Sequence, residues 1–472
     1  MLRWHVPAAA LAAFLLRLCF VWQLPYVESG DTPVYEELAR NWRDHGIYGL
    51  GIDGRLVPAD LRTPGYPAFL AAVHRLLGPS ATAVMLVQAV ADTLTCFVIA
   101  AIAALAAPAA ARRRVAVAAL WLSALCPFTA NYTATVLTET LAVSLTAVAL
   151  LLVAEETPVF FAAGFVTGLG TLVRPDAVLV LVATALVFAR RWWRPRDWRK
   201  LARAGTLMGA GLLLPLAPWA ARNWVTLHKL QLLATRYSEA PGEYAPRGFY
   251  AWTFTWLWRV SDLERVPWKL DEEVIRVGDV PSTAFDSPAE RARIAELLRR
   301  YNGTTTMTPA VDFGFAAIAD ERTARHPLRS YVTIPLLRTW TIWFTPRVDI
   351  LPVSGSLWPI RAEWENDPPG YCVAVLFALL GFCYLAMAAT GAWIARGRLS
   401  AAVLGTFVVV RTVFFATVAL TPEPRYVLEC FPALLALAAQ LWSRRRAATS
   451  IDGSCYSWDE AAGRARGVSE GA

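Results

Sequence analysis

The chain has 472 residues, of which 56% are hydrophobic and only 17% are charged. An ordinary soluble domain carries about 25% charged residues, so this composition argues against a soluble protein and indicates one that lies largely in lipid. The net charge of +8 is divided among separate basic runs rather than gathered in one patch, which argues against a nucleic-acid partner.

Apolar stretches of membrane-spanning length recur along the chain, since about 20 apolar residues cross a hydrocarbon core of roughly 30 Å. We count ten, at residues 6–24, 80–108, 115–130, 134–153, 158–174, 177–190, 203–221, 369–395, 400–420 and 426–443. The first is not followed by a small-residue cleavage site, so we interpret it as an anchor. The sequence therefore predicts an all-α polytopic membrane protein with about ten transmembrane helices.

Basic residues in the short loops predict the orientation, because cytoplasmic loops carry an excess of Lys and Arg. The basic loops are 112–114, 190–200 and 396–398, and the tail opens with three arginines at 444–446. We expect both termini to be cytoplasmic and the protein to lie in the cell (inner) membrane. The predicted parts are a core at 1–221 with a first outer loop at 25–79, an outer segment at 222–368, C-terminal transmembrane helices at 369–443 and a disordered cytoplasmic tail at 444–472.

The first outer loop opens with SGDTPVYEELARNWRDHG at residues 29–46. Thr32 followed by Pro33 is typical of an N-cap and first helical position, which leaves Asp31 just outside an amphipathic helix at 33–45. Asp31 is then either an alternative cap or solvated loop acid, or a carboxylate that acts where the chain leaves the membrane.

A Gly-rich turn follows, and then Arg62 precedes PGYP, which begins a second amphipathic helix. An arginine offers a planar fork of donors that pairs with phosphate, so Arg62 is a candidate anion-binding residue. A contact with lipid headgroups is the alternative.

Further charged residues are predicted at the same outer membrane face. They are Glu139, Arg174, Asp176, Arg222 and Arg425. Any one of them alone is most simply an interfacial anchor, but their concentration on one face favours a site.

Arg17, Asp92 and Arg411 fall within predicted spans. A charge at the bilayer centre costs about 2.5–3.5 kcal/mol on insertion scales, so each should face a partner or a wet cavity. An Arg17–Asp92 packing pair and a lipid-phosphate site both remain open.

The outer segment carries two local patterns. Trp252, Trp256 and their aromatic neighbours suit a membrane-interface belt, with stacking on sugars as the alternative. Residues 287–301 begin with Ser287 and have Glu290 at the third helical position, which predicts a capped, solvated helix.

Motifs for other chemistries are missing. The chain has no phosphate-binding loop, no dinucleotide fingerprint and no nucleophile elbow, and its cysteines and histidines show no metal-site spacing.

Four stretches resemble the GT-C superfamily of integral-membrane glycosyltransferases. They are GDTPVYEELARN, RTPGYPAFLAAV, PWAARNW and EPRYVLECFPALLALA. The likeness is greatest to family 39, which holds the protein mannosyltransferases, and to bacterial members similar to aminoarabinose transferases.

The resemblance implies a polyprenyl-phosphate-linked sugar donor and an inverting transfer, on the outer face, to a lipid, glycan or protein acceptor. It maps the catalytic base onto Asp31 and the donor-phosphate contact onto Arg62, and the motif after the last outer turn onto Arg425 and Tyr426. Many relatives have two adjacent acids, whereas here Thr32 follows Asp31 and the nearest other acid is Glu28.

The chemistry needs a base for the acceptor and cations for the leaving phosphate. The cations would come from Arg62, Arg174, Arg222 and Arg425, and the possible supporting residues are Glu28, Tyr66, Glu139, Tyr426, Arg17 and Arg411. No nucleotide diphosphate is involved, so we expect no required cofactor or metal.

Two other functions stay open. A lipid-linked oligosaccharide flippase or transporter would explain the charges within spans, although no repeat between halves is seen. An O-antigen ligase or polymerase would also combine many spans with a large outer loop.

Overall fold

The structure is a computed structural model that describes residues 4–24, 30–155, 157–193, 196–237 and 241–443. The described chain is built of helices and connecting loops with one short two-stranded hairpin, which confirms the predicted all-α class. Glu28 and the predicted tail at 444–472 lie outside the described residues.

The helices of the first half are α1 (His5–Gln23), α2 (Thr32–His45), α3 (Gly65–Leu77), α4 (Ala81–Leu105), α5 (Arg112–Ala124), α6 (Pro127–Ala130), α7 (Glu139–Ala154), α8 (Phe160–Val173), α9 (Leu179–Trp193) and α10 (Trp198–Leu227). Those of the second half are α11 (Arg247–Phe254), α12 (Ser261–Arg265), α13 (Pro288–Asn302), α14 (Pro309–Arg325), α15 (Ile334–Phe344), α16 (Ile360–Asn366), α17 (Pro368–Ile394), α18 (Leu399–Thr417) and α19 (Phe431–Ala438). Short 3-10 turns join several of them.

Six helical runs in the described chain are long and apolar enough to cross a membrane. They are α1, α4, α10, α17, α18 and the run Pro424–Ser443 that contains α19. The protein is therefore a multi-pass membrane protein. The other four predicted spans correspond to shorter or bent helices, so the count of ten stays a prediction.

The predicted span at 115–130 is not one straight helix. Its two parts, Ala109–Ala124 and Pro127–Ala134, meet at an angle of 48°. Proline has no backbone N–H and disfavours helical conformation in the residue before it, and Cys126 is accordingly extended with ψ of 109°. The break at Pro127 ends the helix.

The first outer loop contains a two-stranded hairpin where the sequence predicted only a Gly-rich turn. Strands β1 (Gly49–Ile52) and β2 (Arg55–Pro58) pair antiparallel around Asp53 and Gly54. Both turn residues have positive φ, 50° and 74°, which is the geometry of a tight hairpin turn. Amphipathic helices α2 and α3 flank the hairpin, as predicted.

The outer segment forms a hydrophobic core of its own. Trp252 and Trp256 are buried in it beside Phe315, so the prediction that they form an interface belt is wrong for these two side chains. The Ser287 hydroxyl accepts a hydrogen bond from the Glu290 N–H, which confirms the predicted cap of α13.

Candidate active site

Asp31 lies at the start of α2, where its carboxylate is not used for capping. The predicted cap is also absent at Thr32, because that hydroxyl donates to the Val136 carbonyl instead, over 3.1 Å. The carboxylate lies between two guanidinium groups. Arg62 Nη2 donates to its Oδ1 over 2.8 Å, and Arg425 Nη2 lies 3.5 Å from its Oδ2.

Arg62 is held in place by the turn that follows it. A Cβ at Gly65 would lie 2.6 Å from the Leu172 carbonyl group, so only glycine lets the start of α3 approach the end of α8 this closely. The Tyr48 hydroxyl donates to the Arg62 carbonyl over 2.9 Å, and the Arg62 guanidinium lies 5.9 Å from the centre of the Tyr35 ring. The backbone around Arg62 is thus fixed from two sides.

Arg425 is oriented by the turn after α18. Glu423 Oε2 lies 2.6 Å from Arg425 Nε, and Glu423 Oε1 accepts a hydrogen bond of 2.7 Å from the Tyr426 hydroxyl. Arg425 Nη1 also lies 3.8 Å from Glu139 Oε1. The guanidinium therefore spans from Glu423 to Asp31.

A deeper layer of ion pairs lies behind these residues. Arg174 contacts Glu139 at 3.0 Å, Glu429 at 3.2 Å and Asp176 at 3.3 Å. Arg411, which is fully buried, contacts Glu429 at 2.6 Å and also pairs with Asp176. Arginines and carboxylates alternate from the half-buried Asp31 down to Arg411, which keeps each buried charge compensated.

The two arginines next to Asp31 set its protonation state. Burial acts to raise the pKa of the Asp31 carboxyl, but the charges of Arg62 and Arg425 outweigh burial and hold that pKa below its ordinary value. Asp31 is therefore ionised at neutral pH, as a base must be. Burial, and to a smaller extent the charge of Asp31, raise the pKa of the Tyr35 hydroxyl to about 12. The Tyr35 side chain therefore stays neutral.

Three predicted site residues lie apart from Asp31. Arg222 donates to the Ala59 and Tyr48 carbonyls and so braces the hairpin loop. Tyr66 is a core residue whose hydroxyl donates to Gln88. Arg17 is fully buried and paired with Asp92 at 2.8 Å, which agrees with the packing-pair alternative rather than the lipid-phosphate site.

The structure adds acidic residues that the sequence analysis did not single out. Glu423 and Glu429 both fall within the quoted EPRYVLEC motif. The sequence therefore contained a signal by which these two acids could have been found. Asp349 follows α15 and accepts a hydrogen bond of 3.2 Å from the Tyr132 hydroxyl. The Asp349 residue is exposed to solvent, but the protein atoms packed around its carboxyl group and the nearby Glu423 raise its pKa to about 6.

In the part of the chain that is described, no three His, Cys, Asp or Glu side chains are arranged to hold a metal ion. The expectation that no metal is required stays a prediction. The carboxylates of the cluster point to arginines, which is the arrangement of an ion-pair network.

Residues 61–220 match a family model described as dolichyl-phosphate-mannose-protein mannosyltransferase. The chain is similar to GT-C membrane glycosyltransferases. The matched segment contains Arg62, Glu139 and Arg174, and the match confirms the resemblance carried by the sequence motifs. Asp31 and Arg425 lie outside the matched segment. A comparison with curated proteins finds no significant match.

Two solved structures are similar to this chain over most of its length. The archaeal oligosaccharyltransferase AglB from Archaeoglobus fulgidus is 13% identical over 93% of this chain and 50% of its own, with a TM-score of 0.45. ArnT from Cupriavidus metallidurans is 15% identical over 92% of this chain and 77% of its own, with a TM-score of 0.36. The chain thus spans about half the length of the archaeal enzyme.

Proposed function

We propose that the protein is a membrane glycosyltransferase that moves a hexosyl or pentosyl group from a polyprenyl-phosphate-linked donor to an acceptor on the outer face of the cell membrane. The proposal rests chiefly on one observation, the Asp31 carboxylate between the guanidinium groups of Arg62 and Arg425. An ionised acid and two arginines in direct contact bring together the base and the phosphate-binding groups that this reaction requires.

Asp31 accepts the proton of the acceptor hydroxyl in the proposed reaction. The acceptor oxygen forms a bond to the anomeric carbon while the bond from that carbon to the phosphate oxygen breaks. The electron pair leaves with the phosphate, where Arg62 and Arg425 stabilise the negative charge. Attack from the side opposite the phosphate inverts the anomeric configuration, and the products are the glycosylated acceptor and polyprenyl phosphate.

The deeper residues support the two arginines at the surface of the cluster. Arg174 and Arg411 neutralise Glu139, Asp176 and Glu429. Tyr426, whose ring lies 5.5 Å from the Arg174 guanidinium, shares Glu423 with Arg425. These residues act as positioning residues. Arg222 fixes the loop that carries Arg62.

The donor class is inferred from charge and from the family match. Cations beside a carboxylate suit a phosphate-linked sugar, and the matched family is described by a dolichyl-phosphate-mannose donor. A lipid-linked donor also suits a site at the end of several apolar helices. We infer no required metal, both termini in the cytoplasm, and a lipid, a glycan or a protein as the acceptor.

Purified protein in lipid nanodiscs, given a panel of radiolabelled polyprenyl-phosphate sugars and a membrane extract as the acceptor source, tests the reaction class. We expect label to move from the donor to an acceptor, with release of polyprenyl phosphate. If no donor is consumed but labelled lipid crosses between leaflets of proteoliposomes, the flippase alternative replaces the proposal. Consumption of a preassembled lipid-linked polysaccharide alone would favour a ligase or polymerase.

A further inference from the structure

A polar cavity of about 410 Å³ lies between the loop after α15 and the start of α17. Its volume falls within the roughly 300–1,000 Å³ that is common for small-molecule sites. The side chains that give it its chemistry are Ser354, Ser356, Glu363, Asn366, Asp367 and Tyr371.

The cavity lies on the same side of the protein as Asp31. Helices α17 and α18 are long, apolar and joined by residues 395–398, so the start of α17 and the end of α18 lie at the same membrane face. The turn after α18 carries Glu423 and Arg425. The cavity therefore opens on the face that holds the ion-pair cluster.

The loop that lines the cavity also begins at the cluster. Asp349 accepts a hydrogen bond from Tyr132, and Asp349 lies near Glu423 and Arg425. Val353 lines the cavity four residues later. An extended chain covers at most about 3.6 Å per residue, so the backbone at Val353 lies no more than roughly 14 Å from the backbone at Asp349.

The polar groups of the cavity are only partly used within the protein. Ser354 donates to Glu363 Oε2 over 2.9 Å, and Asp367 Oδ1 accepts from the Gly370 N–H over 3.0 Å. In the described part of the chain, the Asn366 amide and the Tyr371 hydroxyl have no hydrogen-bond partner, and one oxygen of each carboxylate is likewise unused.

The charge of the lining selects the class of ligand. Two carboxylates and no cation line the cavity, which disfavours a phosphate or any other anion. Carboxylates, an amide and hydroxyl groups suit a ligand with several hydroxyl donors. We propose that this cavity binds a neutral, hydroxyl-rich carbohydrate, and that it is the acceptor subsite of the transfer reaction. The assignment as acceptor subsite rests on the proposed function.

The binding test uses saturation-transfer NMR with full-length protein in nanodiscs, because maltoside detergents carry a sugar headgroup of their own. The probes are methyl glycosides of neutral mono- and disaccharides, with glucuronate as the anionic comparison. Glu363→Gln and Asn366→Ala should weaken binding of a neutral glycoside at least tenfold. The control Glu365→Gln, on α16 but exposed and paired with Arg361, should change it less than twofold.

Three results would overturn the carbohydrate site: no neutral probe gives a signal, glucuronate binds as tightly as the neutral probes, or the cavity variants bind like the control.

The acceptor role is tested separately by the transfer assay. There the cavity variants should raise the acceptor KM at least tenfold and leave the Kd for polyprenyl phosphate unchanged. Transfer with an unchanged acceptor KM would overturn that role and leave the proposed function standing. Glycan binding without transfer from any donor would overturn the proposed function while the carbohydrate site stands.

Discussion

Arg62 and Asp31 form an ion pair in which Nη2 of the arginine lies 2.8 Å from Oδ1 of the carboxylate. The group proposed to bind the donor phosphate is therefore also the group that stabilises the ionised base. A phosphate that takes a hydrogen bond from Arg62 competes with Asp31 for the same donors. Donor binding should thus make Asp31 a stronger base at the moment when the acceptor needs one.

Replacing Arg62 with Gln should weaken binding of polyprenyl phosphate by about tenfold or more. A hydrogen bond to a charged group contributes about 1.5–3 kcal/mol, and each 1.4 kcal/mol is a factor of about ten in Kd. Binding is measured by microscale thermophoresis in nanodiscs. Arg43→Gln is the matched control, since Arg43 lies outside the cluster and pairs with its neighbour Asp44. Equal affinity for both variants and wild type would contradict the role of Arg62.

The pH dependence of kcat/KM should report the ion pair, because this ratio reflects the pKa values of the free enzyme. Arg62 and Arg425 lower the pKa of Asp31 although burial acts to raise it. The base form is therefore present above the lowered pKa, and activity is lost as pH falls through it. In Arg62→Gln the pKa should rise, so the acidic limb of the profile should move to higher pH. A limb that stays in place would show that another group controls it.

The buried pair of Arg17 and Asp92 should matter for stability and not for donor binding. Removing one partner leaves an unpaired buried charge, which costs about 3–5 kcal/mol. Arg17→Met should lower the melting temperature, and the double variant Arg17→Met/Asp92→Leu should recover most of the loss. Donor affinity, measured well below the transition, should equal that of wild type. Loss of donor binding with unchanged stability would restore the lipid-phosphate interpretation.

Asp349 should destabilise the folded protein when it is ionised. Its pKa is raised to about 6 by desolvation and by Glu423, so the folded state binds the proton more tightly than the unfolded state does. The penalty is complete above about pH 6 and fades as pH falls from there toward about 3.9, the ordinary pKa of an aspartate in the unfolded chain. Asp349→Asn should therefore raise the melting temperature more at pH 8 than at pH 5, where only part of the penalty remains. Asp320→Asn, on α14 and away from Glu423 and Tyr132, should have little effect at either pH. A similar gain at both pH values would contradict the raised pKa.

Much of the site could be predicted from the sequence because membrane proteins restrict where charges can lie. Arg62, Glu139, Arg174 and Arg425 were expected at one membrane face, and the structure brings them together with Asp31. The carboxylates that orient the arginines were not identified. Glu429 pairs with Arg174 across 255 residues of chain (429 − 174), and one sequence carries no signal for such a distant contact.

Other errors have local physical causes. Residues 49–58 are too short and Gly-rich to show a clear strand pattern, although Asp53–Gly54 is a hairpin signal. Trp252 and Trp256 were placed at the interface by composition, which cannot tell whether a segment builds its own core. Pro127 marks the bend in the third predicted span, but the apolar run continues through it.

The catalytic role of Asp31 is tested most directly by measuring sugar transfer and donor binding for Asp31→Asn beside wild type. The control is Asp44→Asn, a change of the same chemistry at the exposed end of α2. A positioned base contributes about 10²–10⁴-fold, so turnover by Asp31→Asn should fall by that factor while it still binds polyprenyl phosphate, and the control should keep full turnover. Wild-type turnover by Asp31→Asn would contradict the account, because the residue at the centre of the cluster would then not be the base.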